Sequence, residues 1–174
     1  MKLTVDGYEF DFPHAVEAYK FDETDTTSQY FHGVQQLKAV DMIVEFPKCY
    51  IWVEIKSYDN QTVFDDEQVC EQCGARINHR KWLKRNLVQK FRDTFIYRFC
   101  EKKLDKPIVY VCLLNFDTAL LSYFKKELGQ EIPTGNRNNR RWNRSLLEKE
   151  RLFVINEAGW NRNLLDFGSC KFVG

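Results

Sequence analysis

An α/β fold, a single domain with a central mixed β-sheet flanked by helices, is what the apolar pattern of the chain predicts, and three observations carry it. Two short alternating segments, 37–46 and 49–57, meet across Pro47-Lys48 as the strands of a hairpin do. The run Ile108–Leu114 is continuously apolar, the pattern of a strand covered on both faces. Between them, 81–102 carries Leu83, Leu87, Phe91, Phe95 and Phe99 four residues apart, one stripe of a long helix.

Taken in order, Pro13 followed by 14–20 predicts a short helix, because proline's fixed φ suits a first turn and its missing N–H has no partner there. Acids, Thr and Ser dominate 22–29, a loop composition. The hairpin follows, then 62–73 as a helix ending at Gly74, then the long helix. After the buried strand, Asp117 is placed to cap a helix whose Leu120, Leu121, Phe124 and Leu128 turn inward and which Gly129 stops. A strand over 151–156 completes the order helix, hairpin, long helix, buried strand, helix, strand.

At 174 residues the chain is one domain on a soft prior of about 150 residues each, long enough to fold without disulfides or metal. Its 44% apolar content excludes a disordered chain, and no apolar run approaches the roughly 20 residues of a membrane span. Asp6, Glu9 and Asp11 argue against a secretory signal, so the six cysteines read as reduced thiols of a cytoplasmic protein. The net charge of +1 hides local imbalance. Residues 1–25 hold two lysines against seven acids, 76–106 hold eleven Lys/Arg against three, and 137–151 hold six against two. In the last of these, within a basic C-terminal segment 131–174, Arg137, Arg140, Arg141 and Arg144 interleave with Asn and Trp142. That composition suits phosphate contact with base or sugar stacking. Each patch alone also fits a solvated surface; two beside an acidic segment point to a polyanion.

The hairpin brings chemistry together. With Pro47-Lys48 as a two-residue loop, Phe46 pairs with Cys49, and the same register sets Asp41 opposite Glu54. Paired residues project to one face with Cβ atoms about 5 Å apart, and Lys56, two residues beyond Glu54, shares that face. Met42, Val44, Phe46, Ile51, Val53 and Ile55 form the other face, a core surface. Two facing acids repel unless a cation lies between them. Lys56 can neutralise them on a wet face, but strands this apolar predict a covered sheet.

An acid in a first helix, an Asp on one strand and Glu54-Ile55-Lys56 on the next, followed by a long helix and a buried strand, resemble the PD-(D/E)XK nuclease superfamily with its restriction-endonuclease-like fold. The resemblance spans residues 13–130, and it departs from the pattern in having Val40 where a proline often precedes the Asp. It implies a nuclease acting on DNA ahead of RNA. Asp41 and Glu54 would be metal ligands together with the main-chain carbonyl of Ile55; Lys56 would be the signature lysine and Glu17 the first-helix acid. Two carboxylates and a carbonyl are hard oxygen donors of the kind Mg²⁺ and Mn²⁺ prefer. Members of the superfamily often add a Lys or Gln from the next helix, and Lys90, on the flank of the stripe, is the candidate phosphate contact, although a solvated charge with its stem on the core is the reading its position favours. A single site per chain would need a homodimer, or successive nicks, to cut both strands of a duplex.

Two other readings remain open: a non-catalytic nucleic-acid-binding or assembly protein on the same fold, and an interaction protein whose acidic hairpin face docks a basic partner. Cys70 and Cys73 have the spacing of half a zinc site, with His79 nearby but no second paired spacing. Cys112 lies inside the buried strand and reads as core. The stretch 57–79 is long for a strand-to-helix connection and is expected either to cover the site or to touch substrate.

Overall fold

The computed structural model of the chain describes residues 1–34, 36–59, 64, 68–69, 76–134 and 145–174. In chain order the strands and helices are β1 (Lys2–Val5), β2 (Tyr8–Asp11), β3 (Glu17–Lys20), β4 (Met42–Glu45), β5 (Tyr50–Lys56), β6 (Gln68–Val69), β7 (Arg76–Ile77), α1 (His79–Cys100), β8 (Ile108–Leu114), α2 (Thr118–Glu131), β9 (Leu152–Ile155), α3 (Glu157–Asn163) and β10 (Ser169–Phe172). The central sheet has the order β3-β4-β5-β8-β9. Its first three strands form an antiparallel meander, and β5, β8 and β9 run parallel, so the sheet is mixed as expected.

Two apolar clusters fill the two faces of this sheet. On one, Ile43, Trp52, Tyr110, Cys112 and Val154 pack under α1 and α2. On the other, Met42, Val44, Ile51, Val53, Ile55 and Val111 pack under Trp160 of α3 and a small sheet of order β1-β2-β10. Burial on both faces is why every residue of β8 is buried and its sequence unbroken by polar side chains. The small sheet begins with a two-residue turn at Asp6 and Gly7, both at positive φ (46° and 78°), the backbone a tight hairpin demands. Sequence patterning did not reveal β1, β2, α3 or β10.

Several expected elements change. The segment 14–20 is not a helix: Val16 N–H reaches Glu45 O at 2.7 Å, and β3 then continues the ladder beside β4. Without that strand β4 would leave a row of backbone groups unpaired, so sheet pairing overrides the local signal of Pro13. The helix expected over 62–73 is interrupted where β6 pairs with β7, and apart from buried Phe64 the remainder of it lies outside the described residues. Helix α2 is capped by Asp117 as expected, its side chain accepting Leu120 N–H at 2.8 Å. It runs through Gly129 to Glu131, because buried Ile132 caps it by bonding back to Leu128 O. The strand at 151–156 is β9, with α3 and β10 after it.

The long helix is present, but its buried face is not the predicted row. A residue every fourth position slips about 40° per step around a 3.6-residue turn, so from Leu83 to Phe99 the row turns by about 160°. Phe99 is accordingly 69% exposed, while Thr94 and Arg98 are buried beside Leu83, Leu87, Val88 and Phe91. Nη1 of the Arg98 guanidinium donates to Tyr19 Oη at 3.0 Å and to Glu101 at 2.7 Å, while its Nε is buried without a hydrogen-bond partner. Among the described residues no helix is long and apolar enough to cross a membrane.

Candidate active site

The register of the β4–β5 hairpin sets the site. Met42 pairs with Val53 and Glu45 with Tyr50, and Asp41, one residue before β4, continues the ladder by donating its N–H to Val53 O at 3.0 Å. Asp41 thus lies across from Glu54, both turned toward α1, and both carboxylates are buried at 1% and 0% exposure. The Ile55 N–H donates to Asp41 Oδ2 at 2.5 Å, fixing the carboxylate against the next strand.

Helix α1 holds this end of the hairpin in place. Asp93 accepts Lys38 N–H at 2.9 Å and Thr94 Oγ1 accepts the buried Val40 N–H at 3.0 Å. Lys90, three and four residues earlier on the same helix face, reaches over the acids. Its Nζ donates to Asp41 Oδ1 at 2.8 Å and lies 3.0 Å from Glu54 Oε2. Lys56 Nζ lies 2.6 Å from Glu54 Oε1 and 3.7 Å from Asp41 Oδ2, and donates to its neighbour's carbonyl, Ile55 O, at 2.7 Å. Just beyond, the Asn115 amide bonds both Tyr58 N–H and Tyr58 O at 3.0 Å, tying the ends of β5 and β8 together.

Although two ammonium groups stand within ion-pair distance, neither Glu54 oxygen takes a hydrogen bond of good geometry. Burial, and then the charge of Asp41, push the Glu54 carboxyl up to about 7 against the pull of the two lysines. A third acid, Asp22, borders the same place: Phe21 N–H bonds Asp41 O at 2.8 Å, and Asp22 follows it in contact with the Asp41 carboxylate. Burial and the Asp41 charge raise its carboxyl to about 6, and its Oδ1 is buried without a partner. Lys90, facing both acids of the hairpin, is held firmly in its charged form.

Of the expected residues, Asp41, Glu54, Ile55, Lys56 and Lys90 come together. Glu17 does not. It pairs with Glu45 at the far end of β3, four residues from Phe21 and so roughly 13 Å along the strand. Asp22 is the acid that sequence reasoning missed. The segment after Lys20 has a loop composition, and only the β3–β4 register places it beside Asp41. Arg137, Arg140, Arg141 and Arg144, together with Cys70 and Cys73, lie outside the described residues.

Among the described residues no group of three or more His, Cys, Asp or Glu side chains converges on one cation position; the Lys90 ammonium takes the place between Asp41 and Glu54. The donors themselves, two buried carboxylates and the Ile55 carbonyl, are the hard-oxygen kind that suits Mg²⁺ or Mn²⁺. Comparison of the chain with protein-family models, with curated proteins and with solved structures gave no match. The class of protein that fold and site define is an α/β domain carrying a buried, lysine-bridged carboxylate pair at one end of its central sheet.

Proposed function

We propose that the chain is a metal-dependent nuclease of the PD-(D/E)XK kind, hydrolysing phosphodiester bonds of nucleic acid, DNA ahead of RNA. The observation that carries the reading is the meeting of Asp41 and Glu54, buried face to face on adjacent strands, with Lys56 and the Ile55 carbonyl beside them. The β4–β5 hairpin, the helix α1 and the parallel strand β8 follow one another as in the resemblance, with the strand β3 where its first helix was expected, and a restriction-endonuclease-like core is part of the proposal.

In this reading Asp41, Glu54 and the Ile55 carbonyl hold Mg²⁺ or Mn²⁺, with Asp22 standing where Glu17 was expected. The bound cation supplies Lewis acidity to phosphate oxygens and acidifies water. Lys56 orients the attacking water and meets the charge that develops on the phosphate, while Lys90 contacts a phosphate oxygen. The α1 anchors at Asp93 and Thr94 keep Asp41 in register, so the carboxylates need little rearrangement. Exposed Lys81, Arg85 and Arg92 on α1, and the Arg137–Arg144 cluster in sequence, supply cations for the backbone.

The test is cleavage of single- and double-stranded DNA and RNA in Mg²⁺ or Mn²⁺. Asp41→Ala, or Asp41→Asn if the alanine variant does not fold, should abolish cleavage with the circular dichroism spectrum retained. Cleavage at the wild-type rate by either folded variant refutes the assignment.

A second reading, a nucleic-acid-binding or assembly protein that does not cut, is favoured by one observation: each donor atom proposed for the metal already faces a lysine. It predicts salt-sensitive binding, lost on neutralising Arg137, Arg140, Arg141 and Arg144, with no turnover in any metal.

A further inference from the structure

We infer that Lys90 is an internal cation that must leave the carboxylate pair before a metal ion enters, and that a nucleic-acid phosphate is what draws it out, so that metal and substrate bind with positive coupling. The inference rests on the nuclease reading above and concerns the order and energetics of loading.

Geometry comes first. Lys90 Nζ, 2.8 Å from Asp41 Oδ1 and 3.0 Å from Glu54 Oε2, bridges the two carboxylates from the place a shared divalent cation would take. Ammonium and metal cannot both occupy it. Asp41 is locked by its ladder bond to Val53 and by the Ile55 N–H, and Glu54 lies inside β5, so neither carboxylate can step aside. Lys90 can. Its side chain is 14% exposed where those of Asp41 and Glu54 are 2% and 0%, so it forms the solvent-side rim of the cluster. Four methylenes let its ammonium swing outward without moving α1.

Charge gives the direction of coupling. Three carboxylates, Asp22, Asp41 and Glu54, face two ammoniums, Lys56 and Lys90, which leaves one negative charge when all are ionised. A divalent cation alone turns that into one positive charge in a largely buried site, which is unfavourable. A single phosphate brings the total to zero and gives Lys90 an anion outside the carboxylate pair. Metal therefore helps phosphate, and phosphate helps metal by the same factor.

The experiment measures Mn²⁺ binding by calorimetry to the wild type and to Lys90→Met, each with and without a short DNA duplex carrying a hydrolysis-resistant phosphorothioate backbone. For the wild type the duplex should tighten Mn²⁺ binding about tenfold or more, and Mn²⁺ should tighten duplex binding equally. Lys90→Met should bind Mn²⁺ about tenfold more tightly than the wild type without DNA, and its coupling should fall to about threefold or less, the residue owed to direct metal–phosphate contact. Unchanged Mn²⁺ affinity and undiminished coupling in Lys90→Met overturn the inference while leaving the nuclease reading intact. Absence of Mn²⁺ binding in every form, with or without duplex, overturns both. Should Lys90→Met fail to fold, the wild type decides through the ¹⁵N signal of the Lys90 ammonium. It should shift or vanish on saturation with Mg²⁺, and its persistence unchanged overturns the inference.

Discussion

Replacing Glu54 by glutamine tests the electrostatics of the site without the need for any substrate. In the folded protein burial and the neighbouring Asp41 charge hold the Glu54 carboxyl at about 7, against an ordinary 4.5. Between those two values the folded protein keeps a proton that the unfolded chain has released, so stability falls as pH rises. The contribution is complete below pH 4.5 and gone above pH 7. At about 1.4 kcal/mol per pH unit, the wild type loses about 3 kcal/mol from this one group between pH 5 and pH 8. Glu54→Gln cannot ionise and loses nothing. Asp22, raised from 3.8 to about 6, slopes in the same direction but is present in both proteins and cancels from the difference. The assay is urea denaturation of both proteins in EDTA at pH 5, 6, 7 and 8, and the quantity is the variant's stability relative to wild type. It should move in the variant's favour by about 3 kcal/mol across the range. A difference that does not change with pH, or that moves toward the wild type, refutes the claim that burial outweighs the two lysines.

Other outcomes follow from single contacts. Asp41→Asn removes the second-largest cause of both raised carboxyls, so carbon-detected titration should find Glu54 and Asp22 lowered together. Thr94→Val strands the buried Val40 N–H and should cost about 2 kcal/mol in a urea melt, with weaker Mn²⁺ binding because the approach to Asp41 loosens. Gly168→Ala would set a Cβ 2.3 Å from Asp11 O and 2.7 Å from Phe12 Cδ1, forcing the chain between α3 and β10 away from β2; a loss of about 3 kcal/mol is expected, read as a lower Tm. Of the four described cysteines, Cys100 is exposed, while Cys49, Cys112 and Cys170 are buried with thiols pushed up by burial, that of Cys170 to about 12. Iodoacetamide mapping of the native protein should therefore find Cys100 modified and the other three protected.

What the sequence determined by itself is whatever depends on neighbours along the chain. The two-residue loop at Pro47-Lys48 fixes the hairpin register, and a period of two then forces Asp41, Glu54 and Lys56 onto one face. Ile108–Leu114 shows a doubly covered strand because no polar residue interrupts it, and Asp117 shows a helix start because its side chain caps locally. Lys90 was legible only as a residue on the flank of a long helix, a position that also fits a solvated charge, and the apolar row that put it there is not the helix's buried face. The tertiary structure decided everything that rests on partners distant in sequence. The segment 14–20 carries a helix signal but becomes β3 because β4 needs an edge partner, and that exchange moves Glu17 away from the site and brings Asp22 to it. Thr94 and Arg98 lie on the buried side of α1, where Val40 bonds the Thr94 hydroxyl and Tyr19 and Glu101 accept from Arg98 Nη1, which no periodicity of apolar residues can announce. The lysine bridge is likewise tertiary: the sequence places two acids side by side and asks for a cation, and only the packing of α1 over the hairpin supplies one from the chain itself, at 2.8 and 3.0 Å.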